Sequence, residues 1–390
     1  MIKWLYAFIL CVLPMAATTS VAKPPEASFY DASLADAARP PGTLLKVESL
    51  SMPPLYRARA WRILYSTRDV AGRPIVSSGM VIASTVATAQ PSARKIVSWA
   101  HPTVGTARRC APSLQARPHS SILGINELVG LGYVVVATDY PGLGTPGPIG
   151  YLVGKGQAHA MLDAARAARN IPAAGAGNDV ALWGYSQGGH AALFAAQIAS
   201  RYAPELQIKG AAAIAPPTDL RRLLLADIDS VEGRVLAAFT LQSWAVKYGL
   251  SLRDIASEAS LAAILTINRQ CIDTVEGQIA VLKAQKKLGR QFLLNDPGKV
   301  RGWDAAMRDN SITVPSTSVP LLIVQGESDD IVRPAVTRQV IANGCARGAR
   351  IKYVTLPGRG HGTSAKFGSA SAVSWIAERL AGAGVPRSCP

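Results

Sequence analysis

Asp179–Tyr202, DVALWGYSQGGHAALFAAQIASRY, is the stretch on which the fold turns. Val180 to Trp183 are apolar without alternation, as in a parallel strand covered on both faces. Gly184-Tyr185-Ser186-Gln187-Gly188 follows and fits G-x-S-x-G. From Ala191, small and apolar residues recur at helical spacing through Leu193, Phe194, Ala195 and Ile198. The stretch therefore reads as strand, tight turn and helix. A turn this sharp crowds the residues flanking its apex. Gly184 and Gly188 carry no side chain there, which leaves Ser186 exposed on a strained backbone. The helix starts beneath the serine, and its dipole favours a developing negative charge. This is the pattern of a nucleophile elbow; the plainer alternative is a tight βα turn with an ordinary serine.

Strand and helix alternate on both sides of this stretch. Lys95–Ala100, Tyr133–Thr138 and Ile208–Ile214 read as strands, and Ile125–Leu131 and Gly156–Arg169 as helices. Alternation of this kind predicts a mostly parallel sheet flanked by helices. Further out, Arg57–Tyr65 and Ile75–Ala83 read as antiparallel strands joined through Gly72-Arg73-Pro74, and residues 23–45 as an irregular arm. Pro217 to Pro315 breaks the alternation, with helical patterns at Leu220–Ile228, Val231–Tyr248 and Asp273–Leu288. We read 217–315 as a helical cap inserted in a 23–390 domain, against a packed helical subdomain with no lid role. The alternation then resumes: strand Leu321–Val324, helix Val336–Asn343, strand Ile351–Leu356 and helix Ser371–Leu380.

Composition narrows the function classes. Met1–Ala22 reads as a signal peptide: Lys3, an apolar run from Trp4 to Leu13, then small residues at Ser20-Val21-Ala22. The run is too short to span a bilayer, and no later stretch is long and apolar enough. A secreted or periplasmic location without an integral membrane span is expected. Outside this leader stand Cys110, Cys271, Cys345 and Cys389, an even number that points to two disulfides with three connectivities open. The formal charge of +16 is spread along the chain, with short clusters at Arg108-Arg109, Arg221-Arg222 and Lys286-Lys287. No nucleic-acid-binding motif accompanies it. A solvated basic surface is the simple reading, and attraction to an anionic envelope or polysaccharide the alternative. No metal-ligand spacing appears, so neither metal nor cofactor is expected.

A serine hydroxyl needs an adjacent base to act as a nucleophile. On a sheet of this kind the order is serine, acid, histidine. Of five histidines, His101, His119, His159, His190 and His361, only His361 follows both the serine and the next strand. It lies in the glycine-rich turn Pro357–Gly362, from which an imidazole could reach back over the sheet edge. The acid should follow Leu321–Val324, where Glu327, Asp329 and Asp330 compete. Asp329 is favoured by its G-x-x-D-x-x-V spacing from Gly326 to Val332. Oxyanion donors are expected from the backbone N–H of Gln187 and from Thr103, because Pro102 has no N–H to give. For the substrate walls we take Tyr185, beside the serine, and the apolar helix Val231–Tyr248, above all Phe239 and Trp244, with Val235 and Leu236.

With these residues in place, the chain resembles the secretory-lipase family, the fungal lipase A type and related bacterial exported esterases. Gly184–Gly189, Cys110-Ala111-Pro112-Ser113, Asp139-Tyr140-Pro141-Gly142 and Tyr202-Ala203-Pro204-Glu205-Leu206 carry the resemblance. It implies an α/β-hydrolase fold, a Ser-His-Asp triad at Ser186, His361 and Asp329, and carboxylic-ester substrates. It also implies pairing of Cys110 with a cap cysteine, here Cys271. Pro102 stands where relatives commonly carry glycine. Cys345–Cys389 is expected to anchor the C-terminus. The leading expectation is an exported serine carboxylesterase or lipase acting on a small-molecule, lipid or polysaccharide ester. The alternatives are a serine peptidase or acyltransferase on the same residues, or a non-catalytic envelope-binding protein.

Overall fold

The computed structural model describes residues 27–289, 292–313, 317–384 and 389. The leader Met1–Ala22 and the cap boundary at Pro315 lie outside the described residues. After a short helix α1 (Leu34–Ala38) come strands β1 (Leu44–Leu50), β2 (Ala58–Arg68), β3 (Pro74–Ser84) and β4 (Arg94–Ala100). Helix α2 (Ile125–Gly130), β5 (Val134–Thr138), α3 (Gly154–Arg169), β6 (Ala176–Tyr185), α4 (Gln187–Tyr202) and β7 (Gln207–Ile214) follow. The sheet has nine strands in the order β1-β2-β3-β5-β4-β6-β7, continuing into β8 (Leu321–Gly326) and β9 (Ile351–Leu356). It is antiparallel from β1 to β5 and parallel from there to β9.

One strand was not foreseen. Only Leu44 and Leu45 of β1 fall in the stretch 23–45 read as an irregular arm, and the rest of the strand lies where no element was expected. It pairs only with β2, and its residues are at most half-buried. An edge strand of this kind is held by main-chain bonds along one side, so it carries no strong burial pattern in sequence.

The two sheet faces are covered by different helices. Alanine-rich α3 and α4 pack against one face, with Met161, Leu162, Val180, Leu182 and Leu193 in that core. On the other face α2 and α11 (His361–Leu380) enclose Trp99, Trp183, Val324 and Trp375. Helix α10 (Pro334–Ala346) links β8 to β9.

Between β7 and β8 the described residues hold five helices: α5 (Leu220–Asp227), α6 (Val231–Tyr248), α7 (Glu258–Asn268), α8 (Val275–Gln285) and α9 (Trp303–Asp309). Helices α7 and α9 add to the three expected. This segment has a core of its own, built on Phe239, Trp244, Ile264, Phe292 and Trp303, with Tyr151 and Leu152 reaching into it from the sheet side. Several links tie it to the loop after β4, among them a hydrogen bond from Thr106 Oγ1 to Asn268 O at 3.1 Å. Ile272 N–H donates to Val104 O at 2.8 Å, and a disulfide joins Cys110 to Cys271. A second disulfide joins Cys345 to Cys389. No described helix is long and apolar enough to cross a membrane.

Candidate active site

The turn between β6 and α4 is as tight as its sequence requires. Ser186 sits at φ 53° and ψ −120°, a positive φ that costs a non-glycine residue energy and persists only where the surroundings enforce it. Enforcement comes from Ser186 N–H donating to Ile214 O at 2.9 Å and from the close packing of the flanking glycines. A Cβ on Gly184 would lie 2.1 Å from Gly188 O, and one on Gly188 would lie 1.9 Å from Ala100 O. Neither position tolerates a side chain. Ser186 occupies the N-cap position of α4, and Gln187 is its first residue.

Three of the expected residues meet at the carboxyl ends of the parallel strands. His361 Nε2 lies 2.9 Å from Ser186 Oγ, and His361 Nδ1 lies 2.9 Å from Asp329 Oδ2. Asp329 follows β8 and is buried, whereas Glu327 and Asp330 are exposed. Its carboxylate is held by further donors. Ile331 N–H and Val332 N–H reach Oδ1 at 3.0 and 2.8 Å, and Gln325 Nε2 reaches Oδ2 at 3.0 Å. A buried carboxylate so fully paired keeps one orientation.

His361 is not in the flexible turn anticipated for it. It is the first residue of the 20-residue helix α11, which starts ten residues ahead of the expected Ser371. The glycine-rich stretch before it marks the helix entry, and Gly360 is the N-cap. Tyr185 is displaced from its expected role too. It does not line the cavity described below; its hydroxyl donates to His361 O at 3.1 Å and its ring lies against the imidazole, centroids 5.2 Å apart. Burial pushes that hydroxyl well above its ordinary pKa, so it remains a donor.

The loop after β4 is braced from several sides. His101 Nε2 lies 3.2 Å from Asp139 O, its Nδ1 lies 2.6 Å from Pro102 O, and Tyr140 OH donates to His101 O at 3.2 Å. Burial pushes the His101 imidazole below its ordinary pKa. Thr103 Oγ1 is within 2.9 Å of Tyr151 OH. Ser113, the serine of Cys110-Ala111-Pro112-Ser113, explains that motif. Its hydroxyl and N–H both bind the buried Asp139 carboxylate, which also accepts from Ser78 Oγ at 2.7 Å. Burial pushes Asp139 up despite these donors. Two sequence motifs far apart in the chain thus close one buried polar cluster under the loop.

A narrow, mostly apolar cavity of about 70 Å³ runs from Ser186 and Gln187 into the helical segment. Helix α6 contributes Gly233, Leu236, Ala237 and Thr240, which share one helix face. Phe239 and Trp244, expected here, are fully buried in the segment's own core and do not line the cavity. Phe239 lies 5.8 Å from the Tyr151 ring, and Trp244 Nε1 donates to Tyr151 O at 3.2 Å. Val235 belongs to the same core; of the four residues singled out, Leu236 alone faces the cavity. Because α6 is apolar on nearly all sides, its sequence does not distinguish the face in the closed core, which takes Phe239 and Trp244, from the face on the cavity, which carries Leu236. Residues that sequence reading missed complete the wall, among them Leu223, Leu224, Met307, Ile331 and Val332. Asp227 joins them; its Oδ1 lies 2.7 Å from Arg333 Nε. Burial pushes Asp227 above the ordinary carboxylate value, against the pull of Arg333.

The sequence model of the secretory lipase family matches residues 119–386. The chain is similar to Lipase 5 of Candida albicans, 26% identical over 94% of this chain and 81% of that protein. It is similar also to Lipase A of Moesziomyces aphidis, 27% identical over 83% and 73%. Among solved structures it resembles Candida antarctica lipase A, with a TM-score of 0.77 at 19% identity, covering 93% of this chain and 87% of that one. The rice cell wall degrading esterase LipA from Xanthomonas oryzae gives a TM-score of 0.71 at 21% identity, covering 87% and 97%. The nine-stranded sheet with its flanking helices, the match over most of the chain and these relatives agree: the chain belongs to the secretory lipase family and is a carboxylic ester hydrolase of the α/β-hydrolase fold.

Proposed function

We propose that this chain is an exported esterase or lipase that works through a Ser186–His361–Asp329 triad and an acyl-enzyme. The observation that carries the reading is the unbroken relay from Ser186 Oγ through His361 to Asp329, each link 2.9 Å long. Ser186 Oγ attacks the ester carbonyl while His361 Nε2 takes its proton. The tetrahedral oxyanion is met by the backbone N–H of Gln187 and by Thr103. His361 then returns the proton to the leaving alkoxide, and water releases the acyl group by the reverse path. Asp329 orients the imidazole and stabilises its cationic form. Residues 217–315 serve as a cap within the 23–390 domain, and the acyl chain enters the cavity beneath Leu236 and Ala237. Met1–Ala22 directs export, to a secreted or periplasmic location, and no cofactor takes part.

A fluorophosphonate probe tests the nucleophile, with stoichiometric labelling in the wild type and none in Ser186→Ala. Ser186→Ala and His361→Ala should each cut ester hydrolysis on the order of 10³-fold or more, without additivity. Asp329→Asn should also cost heavily, through the wrong tautomer. Near-full activity in Asp329→Asn beside loss in Asp330→Asn would reassign the acid.

A further inference from the structure

The cavity wall is apolar along most of its length, but two of its residues bring polar atoms that the protein leaves unpaired. Asp227, the last residue of α5, is 6% exposed and lines the cavity. Its Oδ1 binds Arg333 through Nε at 2.7 Å and Nη2 at 2.6 Å, while its Oδ2 is buried with no hydrogen-bond partner. Gln187, 2% exposed, lines the same cavity, and its Nε2 is likewise buried and unpartnered. Among the described residues of this wall, these are the two buried side-chain atoms without a partner. Buried polar atoms are almost always paired, and an unpaired one carries a desolvation penalty that an alkyl chain does not relieve.

We propose that this cavity selects esters whose enclosed chain carries a hydroxyl group. The hydroxyl donates its proton to Asp227 Oδ2, the unpaired acceptor among the wall's side chains. This rests on Ser186 being the nucleophile and deepens that reading by naming the substrate class, a hydroxylated aliphatic ester. A cationic substituent fits less well, because the Arg333 guanidinium already neutralises the Asp227 carboxylate. A plain alkyl chain leaves Asp227 Oδ2 unpaired. Sites built to bind a substrate hydroxyl discriminate against the analogue lacking it far more strongly than an apolar pocket discriminates one methylene.

The test compares methyl decanoate with its monohydroxylated methyl esters, the hydroxyl moved carbon by carbon along the chain, by pH-stat on the purified protein. At least one isomer should exceed methyl decanoate in kcat/KM by about tenfold. Asp227→Asn keeps an oxygen for Arg333 and puts a donor where Oδ2 was, so this ratio should fall by about fivefold or more. Asp227→Leu should do the same. Arg333→Gln breaks the ion pair but keeps the acceptor, so the ratio should survive whatever happens to the absolute rates. A purely structural role for Asp227 predicts the opposite, equal losses on hydroxylated and plain esters. The proposal is overturned if no isomer outruns methyl decanoate in the wild type, or if the preference persists in Asp227→Asn. Should Asp227→Leu fail to fold, the wild-type series and the asparagine variant still decide. Absence of Ser186-dependent hydrolysis of every ester would instead overturn the triad reading beneath it.

Discussion

Leu236 and Phe239 lie three residues apart on one helix yet face different environments, and truncating each should have opposite consequences. Leu236 lines the cavity beside Ala237 and Thr240. Leu236→Ala removes three carbons from that wall and makes room for a longer acyl chain. Each methylene newly buried is worth about 0.8 kcal/mol, or roughly fourfold in kcat/KM. The preferred p-nitrophenyl ester should therefore lengthen by about two or three carbons, with the ratio of long-ester to short-ester kcat/KM rising on the order of tenfold or more. Phe239 is fully enclosed, with no face on the cavity. Phe239→Ala empties that core at a cost of about 3–5 kcal/mol. It should lower the melting temperature and leave the chain-length ratio near wild type, since Tyr151, which lines the cavity with its ring against Phe239, is still held by Thr103 and Trp244. The assay is a chain-length series on both variants, with thermal melts alongside. If Phe239→Ala shifts the ratio and Leu236→Ala does not, the acyl chain lies elsewhere and the face assignment fails.

Three further outcomes follow from the structure. Cys110–Cys271 spans a sequence separation of 161, and replacing both by alanine should cost up to about 5 kcal/mol through the freed unfolded chain; a variant that melts with the oxidised wild type would refute this. His190, whose Nε2 lies 2.8 Å from Asn310 O, is pushed by burial from 6.5 down to about 4, as is His159. Their neutral forms stabilise the fold fully above pH 6.5, and that stability is lost as pH falls towards 4, by on the order of 3 kcal/mol for the fully buried His190. Denaturant melts across this window should steepen accordingly, and His190→Gln should flatten the slope; an unchanged slope counts against it. Tyr185→Phe removes the hydrogen bond to His361 O and should lower kcat about two- to tenfold with little change in KM. Wild-type kcat in that variant would show that the ring contact alone holds the helix start.

What could be read in the chain alone was local or ordered by topology. The strand, the two flanking glycines and the helix around Ser186 declare themselves within one short stretch, because backbone crowding at a sharp turn constrains residue type directly. Chain order then left His361 as the single candidate base, and Asp329 was favoured by its distance from a strand end. The structure brings these three within hydrogen-bond reach of one another. The alternation from Lys95 onward likewise implied a parallel sheet, since both strand faces must be covered.

Other features needed the tertiary structure, because they depend on partners remote in sequence. Helix α6 is apolar around most of its circumference, so periodicity could not say which face meets the cavity; Phe239 and Trp244 share a closed core with Ile264 and Trp303, whereas Leu236 and Ala237 pack on that core and also line the cavity. The start of α11 at His361 was hidden because Gly358 and Gly360 resemble a turn until the helix beyond them is seen packed on β7 and β8. Strand β1 owes its existence to bonds with β2 rather than to a buried face. The contacts of Asp139 with Ser113, and of Asp227 with Arg333, join residues 26 and 106 positions apart. A carboxylate's surroundings decide whether it is a solvated surface charge or a buried acceptor, and for these two only the folded chain supplies those surroundings.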